Sequence, residues 1–193
     1  MIIIGIDIGY INMGVVRAVV DDDFNFTFTD SFRYNISIPR HNRVHVSECT
    51  IPHTTETCDR VAHFIQENKD MFDDADYMFI ERQPPMGFKD IEALIMSAYR
   101  RKVTLLSPNR LHKYFGISHQ DYERRKESVV EIASPHLEHI KTFNNQVRKH
   151  DMADAACMCI YQIVKFKEEH RRKERLEHIK RLPFDKYAFV HQS

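Results

Sequence analysis

The run Ile2-Ile3-Ile4-Gly5-Ile6-Asp7-Ile8-Gly9 is an almost unbroken β-branched stretch with one carboxylate set into it. Such a run reads as a fully buried central strand. An ionised aspartate is costly in that setting unless it is hydrogen-bonded, paired or bound to a metal. Asp7 stands one residue before the end of the apolar run, and Gly9 marks the turn that follows. The carboxylate is thus expected at the rim of a sheet, where open α/β folds place their chemistry. Alone, Asp7 supports two readings, a strand-end side chain bonded to turn amides or a functional acid.

Working outward, residues 10–14 read as a hairpin connection and Val15 to Val20 as a second strand. After the Asp21-Asp22-Asp23 turn, Phe24-Asn25-Phe26-Thr27-Phe28-Thr29 alternates strictly, which predicts a third strand with one buried face. Residues 33–53 are rich in His, Arg and Pro and read as an irregular connection with one short strand at Val44 to Val46. A helix is expected from Thr54 or Thr55 as N-cap to near Asp70, with Val61, Phe64, Ile65 and Phe72 at helical spacing. Tyr77-Met78-Phe79-Ile80-Glu81 is a second buried strand with a carboxylate at its carboxyl end, and Pro84-Pro85 then stops strand pairing.

Helices are predicted over 88–101, Arg110 to Phe115 and Asp121 to Ala133, with a short strand over Val103 to Leu106. A last helix begins near His150, with Met152, Ala155, Ala156, Cys159, Ile160, Ile163 and Phe166 as its core stripe. The expected fold class is α/β: a mixed central sheet of three antiparallel N-terminal strands plus parallel strands, flanked by helices. One domain is expected over 1–193, with a charged helical extension from about Lys167.

No apolar run approaches membrane-spanning length and no signal peptide opens the chain, so an intracellular protein with no membrane partner is expected. Cys49, Cys58, Cys157 and Cys159 form no CxxC pair, and Cys157 and Cys159 project to different helix faces. They read as ordinary half-buried thiols. The formal net charge of zero argues against a nonspecific nucleic-acid coat, but its distribution is uneven. Residues 1–80 carry 6 basic and 13 acidic side chains, whereas residues 81–150 carry 13 and 8. Basic charge gathered after Glu81 fits one face meeting an anionic partner, and a solvated surface accounts for it as well.

Asp151 and Asp154, three apart in the first turn of the last helix, share a face that lies away from the apolar stripe. Helix capping explains such a pair taken alone. Taken together with Asp7 and Glu81, four carboxylates without matching cations would repel unless they converge on divalent metal. Hard oxygen donors point to Mg²⁺, and two such ions about 4 Å apart form the clamp by which nucleases activate water and stabilise a leaving oxygen. Lys126 is a candidate for stabilising charge on a scissile phosphate; the alternative is a solvated Arg124-Arg125-Lys126 helix surface.

The motifs Gly5-Ile6-Asp7-Ile8-Gly9, Ile80-Glu81-Arg82-Gln83 and His150-Asp151-Met152-Ala153-Asp154-Ala155, in that order, resemble the RuvC-type Holliday junction resolvases of the RNase H-like superfamily. Ser107-Pro108-Asn109 followed by a basic helix with Lys126 is similar to the segment preceding the family's terminal aspartates, and the wording is nearest the poxvirus members. The similarity spans about residues 2–165. It implies an RNase H-like fold, a homodimer, and Mg²⁺-dependent paired nicking of four-way DNA junctions in viral recombination and concatemer resolution. It further implies two ions per site, Mn²⁺ as a substitute, Asp7, Glu81, Asp151 and Asp154 as metal ligands, and Lys126 as an active-site lysine. For a viral member it implies the host cytoplasm as location.

Arg82, Lys89, Arg110, Lys113, Arg124 and Arg125 are candidates for phosphate contact on branched double-stranded DNA, with solvent-facing surface as the alternative. His150 reads as a supporting or capping residue. Phe88 and Tyr114 are expected in the core, with insertion at an opened junction the rival role. The stripe Ile91, Leu94, Ile95 and Ala98 serves either a core or a dimer interface. Two other functions compete. Asp7-Ile8-Gly9 with Gly14 resembles the phosphate loop of actin and sugar-kinase type ATPases, and a non-catalytic junction-binding module of the same fold is the second alternative.

Overall fold

The structure is a computed structural model that describes residues 1–38 and 49–181. The apolar opening run forms strand β1 (Ile2–Asp7), which turns back as β2 (Met13–Val20) and β3 (Phe26–Tyr34). Helices α1 (Thr57–Glu67) and α2 (Lys69–Asp74) lead to β4 (Tyr77–Glu81), α3 (Lys89–Ala98) and β5 (Val103–Leu106). Helices α4 (Pro108–Tyr114), α5 (Tyr122–Leu137), α6 (Lys141–Asn144) and α7 (His150–Arg181) complete the described chain. One five-stranded sheet runs in the order β3-β2-β1-β4-β5. β1–β2 and β2–β3 pair antiparallel; β1–β4 and β4–β5 pair parallel. This is the mixed sheet expected from the sequence.

Side chains alternate across the central strands and feed two cores. Ile3, Val16, Ala18, Phe79 and Leu106 pack under α4, α5 and α7. Ile4, Ile6, Val15, Met78 and Ile80 pack under α1, α2 and α3. The result is three layers, helices on both faces of one sheet. Ile91 and Ile95 are fully buried against the second core, so that stripe is mainly core; Leu94 is partly buried and Ala98 exposed.

The α7 face has no room for side chains at two strand positions. A Cβ on Gly5 would collide with the carbonyl oxygen of Ala155, and one on Gly14 with that of Asp151. The helix backbone therefore lies directly on the strand backbones. Gly14 pairs with Asp7 across the β1–β2 ladder, so Asp7 projects on the same face as Gly14, toward the first turn of α7.

Several boundaries differ from expectation. Phe24 sits in the turn with φ of 64°, so β3 begins two residues later and runs on to Tyr34, into the stretch expected to be irregular. A register shift opposite Arg17/Ala18 interrupts its alternation. The expected single helix to Asp70 breaks at Asn68, whose side-chain amide donates to the Phe64 carbonyl at 2.7 Å, and Phe72 is carried by α2 instead. Glu56, not Thr54 or Thr55, occupies the cap position of α1, while the Thr54 hydroxyl accepts from the Glu56 amide at 3.1 Å. α5 runs through Pro135 to Leu137, four residues beyond the predicted end at Ala133. The unexpected one-turn α6 is tied to β3, with His139 Nε2 donating to the Phe28 carbonyl at 2.7 Å and Thr142 Oγ1 to that of Ser31. The strand expected at Val44 to Val46 lies outside the described residues. α7 is one 32-residue helix, exposed from Glu168 onward as the charge pattern predicted. No described helix is long and apolar enough to cross a membrane.

The glycine contacts give a test. Gly14→Ala is expected to lower stability by about 3 kcal/mol or more, since two backbones must separate. Gly116→Ala, at φ of +72° with nothing within 4 Å, costs only the left-handed strain, about 1 kcal/mol. Urea unfolding of the two variants measures the difference.

Candidate active site

Ile6 and Ile80 are in register across the parallel β1–β4 ladder, so the next residues, Asp7 and Glu81, leave the two strands side by side. Asp7 is 9 % exposed. The two carboxyls share a hydrogen bond. Burial, followed by the charges of Glu81 and Asp154, raises the Asp7 pKa well above the usual carboxylate value. Glu81 is also raised, mainly by burial, although the hydrogen bond from Asp7 opposes the shift. Of the two, Asp7 is the carboxyl that holds a proton more tightly, with Glu81 as the acceptor of their shared hydrogen bond. Gln83 Nε2 donates to Glu81 Oε2 at 3.1 Å and holds its other side.

From α7, Asp154 reaches the same place, where Lys126 Nζ of α5 donates to its Oδ2 at 2.5 Å. Burial disfavours the Lys126 ammonium, but the charge and hydrogen bond of Asp154 outweigh it and hold its pKa above the usual lysine value. Asp151, 4 % exposed, is gripped by Arg148, with Nε donating to Oδ2 at 2.7 Å and Nη2 to Oδ1 at 3.0 Å. Among the described residues these side-chain cations, not first-turn amides, hold the two aspartates, so capping does not account for them. Asp7, Glu81, Lys126, Arg148 and Asp151 line one open cleft with the loop from Ile8 to Asn12, of about 530 Å³. Asp154 lies with Asp7 and Glu81 on an adjoining wall formed with His112 and Phe115.

Of the six basic candidates, Arg125 lines the site beside Lys126 and Asp154, its Nη1 donating to the Gln120 carbonyl at 2.6 Å. Arg124 points outward and pairs with Glu127 at 2.8 Å; Lys89 pairs with Glu92 at 2.8 Å. Arg82, Arg110 and Lys113 are exposed. Phe88 and Tyr114, expected in the core, are 41 % and 39 % exposed. Phe88 stacks on Tyr10 at 6.4 Å on the cleft wall, and Tyr114 packs edge-on against Tyr161 at 4.9 Å. His150 Nε2 stands 3.8 Å from Asp151 Oδ1, and burial lowers its pKa.

Arg148 and His112 are missing from the sequence reading. A basic residue three positions before Asp151 was the available signal for the first; nothing in the pattern around His112 marks it. A separate group, Cys49, His53 and His63, brings one sulfur and two imidazoles within 4.8 Å of one another and could hold a metal ion.

No family model matches the chain, and no curated protein matches it. Solved structures do. A fowlpox virus resolvase in complex with its substrate Holliday junction DNA superposes with a TM-score of 0.63 at 13 % identity, covering 86 % of this chain and 99 % of that one. The yeast mitochondrial Holliday junction resolvase gives 0.58 at 17 % identity, over 88 % and 85 % of the two chains. RuvC of T. thermophilus in complex with a Holliday junction substrate gives 0.53 at 13 % identity, over 82 % and 90 %. The chain shares the fold of these resolvases. The described residues form a single five-stranded sheet, without a second sheet to supply the other lobe of an actin-type ATPase.

The upward shift of the Asp7 pKa fixes a sign. Folding takes up a proton wherever the unfolded carboxyl is ionised, so stability falls as pH rises from the ordinary value of 3.8 through the raised folded value. In chelator at pH 7–8, Asp7→Asn is expected to be more stable than the parent by about 1–3 kcal/mol, an advantage that fades toward pH 4. Thermal melts across that range check the trend.

Proposed function

We propose that this protein is a metal-dependent endodeoxyribonuclease that resolves four-way DNA junctions as a homodimer. One observation carries the reading: Asp7, Glu81 and Asp154 meet at the carboxyl ends of two parallel strands with Lys126 among them, and Asp151 opens on the same cleft.

Hard oxygen donors crowded enough to raise the Asp7 and Glu81 pKa values suit a small divalent cation. Asp7, Glu81, Asp151 and Asp154 would hold two Mg²⁺ ions, with Mn²⁺ able to substitute; when bound, these supply an activated water and neutralise the leaving oxygen. As a ligand Asp7 would act as the carboxylate, the cation's charge offsetting its raised pKa. Arg148 orients Asp151 through both carboxylate oxygens. Lys126, reaching in from α5, offsets the charge that gathers on the phosphoryl oxygens as the bond to the 3′-oxygen breaks, leaving a 5′-phosphate and a 3′-hydroxyl.

Recognition would come from backbone position and deformability more than from base edges. Arg125 beside the site and the exposed Arg82, Arg110 and Lys113 would contact phosphates. The exposed Phe88 on Tyr10 offers an apolar face to an unstacked base. The described residues hold one such site, so opposed nicks would need a second copy related by a two-fold axis, matching the near two-fold junction.

The test incubates a labelled four-way junction with the protein and Mg²⁺, beside chelator and linear-duplex controls. Symmetric nicks are expected on the junction alone and only with Mg²⁺. Asp154→Asn is expected to lower cleavage at least about 100-fold, and Lys126→Ala by about 10²-fold, with junction binding in gel shifts retained. Full activity in Asp154→Asn, or ATP hydrolysis without DNA cleavage, overturns the reading.

A further inference from the structure

Helix α1 carries a buried histidine on the side of the sheet away from α7. His63 is 4 % exposed, on the helix that buries Val61 and Phe64 in the second core. It faces the segment 49–53, which returns to the start of α1. His63 Nε2 is 3.2 Å from the Pro52 carbonyl oxygen, a contact only an N–H can make favourably. That fixes the proton on Nε2 and leaves the lone pair on Nδ1, which is aimed at Cys49 Sγ at 3.6 Å. The His53 ring lies edge-on to His63, with centroids 4.7 Å apart. Gln66 Oε1 stands 3.5 Å from the same sulfur.

We propose that Cys49, His53 and His63 form a second metal site, taking Zn²⁺. The donor atoms lie within 4.8 Å of one another, and the 3.6 Å between His63 Nδ1 and Cys49 Sγ is the spacing of two neighbouring ligands on one tetrahedral ion, so a small side-chain adjustment closes the set. The set is one thiolate and two imidazoles, which selects a borderline-soft ion and rejects Mg²⁺. A backbone carbonyl on the far ring nitrogen of a ligating histidine is the usual outer support that orients the ring and fixes its tautomer. Gln66 Oε1 stands beside the donors for the fourth position, which otherwise falls to water. Binding closes the loop from Cys49 to His63 and displaces the Cys49 thiol proton, so the ion fastens the segment 49–53 onto α1. The site owes nothing to the acidic cleft, and its chemistry is independent of the nuclease reading.

The test uses the full chain, stripped of metal under reductant and titrated with Zn²⁺ or Co²⁺ in excess Mg²⁺. About one Zn²⁺ per chain is expected, together with the ligand-field bands of tetrahedral Co²⁺ and a thiolate-to-cobalt charge-transfer band. Cys49→Ser abolishes the charge-transfer band and weakens Zn²⁺ binding at least about 100-fold, more than loss of an outer partner does. His53→Asn and His63→Gln weaken it likewise, while Cys58→Ser and Asp154→Asn leave it unchanged. In chelator the parent and Cys49→Ser melt together, and added Zn²⁺ raises the midpoint of the parent alone. If Cys49→Ser does not fold, His53→Asn on the half-buried segment decides by the same readouts. The absence of a thiolate band, its persistence in Cys49→Ser, or Zn²⁺ binding lost in Asp154→Asn but kept in Cys49→Ser overturns the proposal.

Discussion

Helix α7 touches the sheet backbone to backbone, and that contact sets the position of everything in the cleft. At Gly5 and Gly14 the carbonyls of Ala155 and Asp151 occupy the space of a side chain. Helices packed on sheets through side chains stand about 10 Å off, too far for a short carboxylate on a helix to meet one at a strand end. Here the spacer is missing on two adjacent strands. Asp154 of α7 consequently reaches the neighbourhood of Asp7 and Glu81, and Asp151 opens on the same cleft. The two alanines of α7 nearest the strands, Ala155 and Ala156, are fully buried and serve the same close approach from the other side.

Close approach has an electrostatic consequence. Asp7, Glu81 and Asp154 repel one another in a poorly hydrated pocket, and the fold answers in two ways. The Asp7 pKa is raised above the usual carboxylate range, and Lys126 and Arg148 are brought in from α5 and from the turn before α7. Neither device would be needed in a core built for stability alone, where apolar side chains of similar volume would serve at least as well. Acids held against that gradient are what the proposed active site requires.

Much of this was legible in the sequence, for a definite reason. Buried strands and the closing helix have long periodic patterns, and the acids at their ends break those patterns visibly, as Asp7 does after four isoleucines. Features that depend on contact between distant elements were not legible. The Asn68 break hangs on one side-chain bond to Phe64, and the β3 irregularity on a shift of one residue against β2. Phe88 lies outside the core because the chain after Pro84-Pro85 turns its ring onto Tyr10. Arg148 is an ordinary surface arginine by composition, and only the bidentate grip on Asp151 distinguishes it. Cys49, His53 and His63 follow no familiar ligand spacing, since the return of the chain from segment 49–53 to α1 brings them together.

Helix α1 joins the two polar sites of the molecule. One turn from His63, Arg60 donates to the Tyr10 hydroxyl at 2.7 Å and to the Ser37 carbonyl at 2.6 Å, and its guanidinium lies 5.6 Å from the Tyr10 ring centre. Tyr10 is on the loop that lines the acidic cleft, and Phe88 leans on its ring. The aromatic wall of the cleft is therefore braced from α1, whose orientation rests on Val61 and Phe64 in the core and on the segment 49–53 across His63. Long polar side chains such as Arg60 hold a loop only as firmly as their own helix is held. Fastening segment 49–53 to that helix with a metal ion would stiffen the brace without placing any group in the cleft. Any stability gained there would lie on the face of the sheet opposite the crowded carboxylates, apart from the like charges at the strand ends.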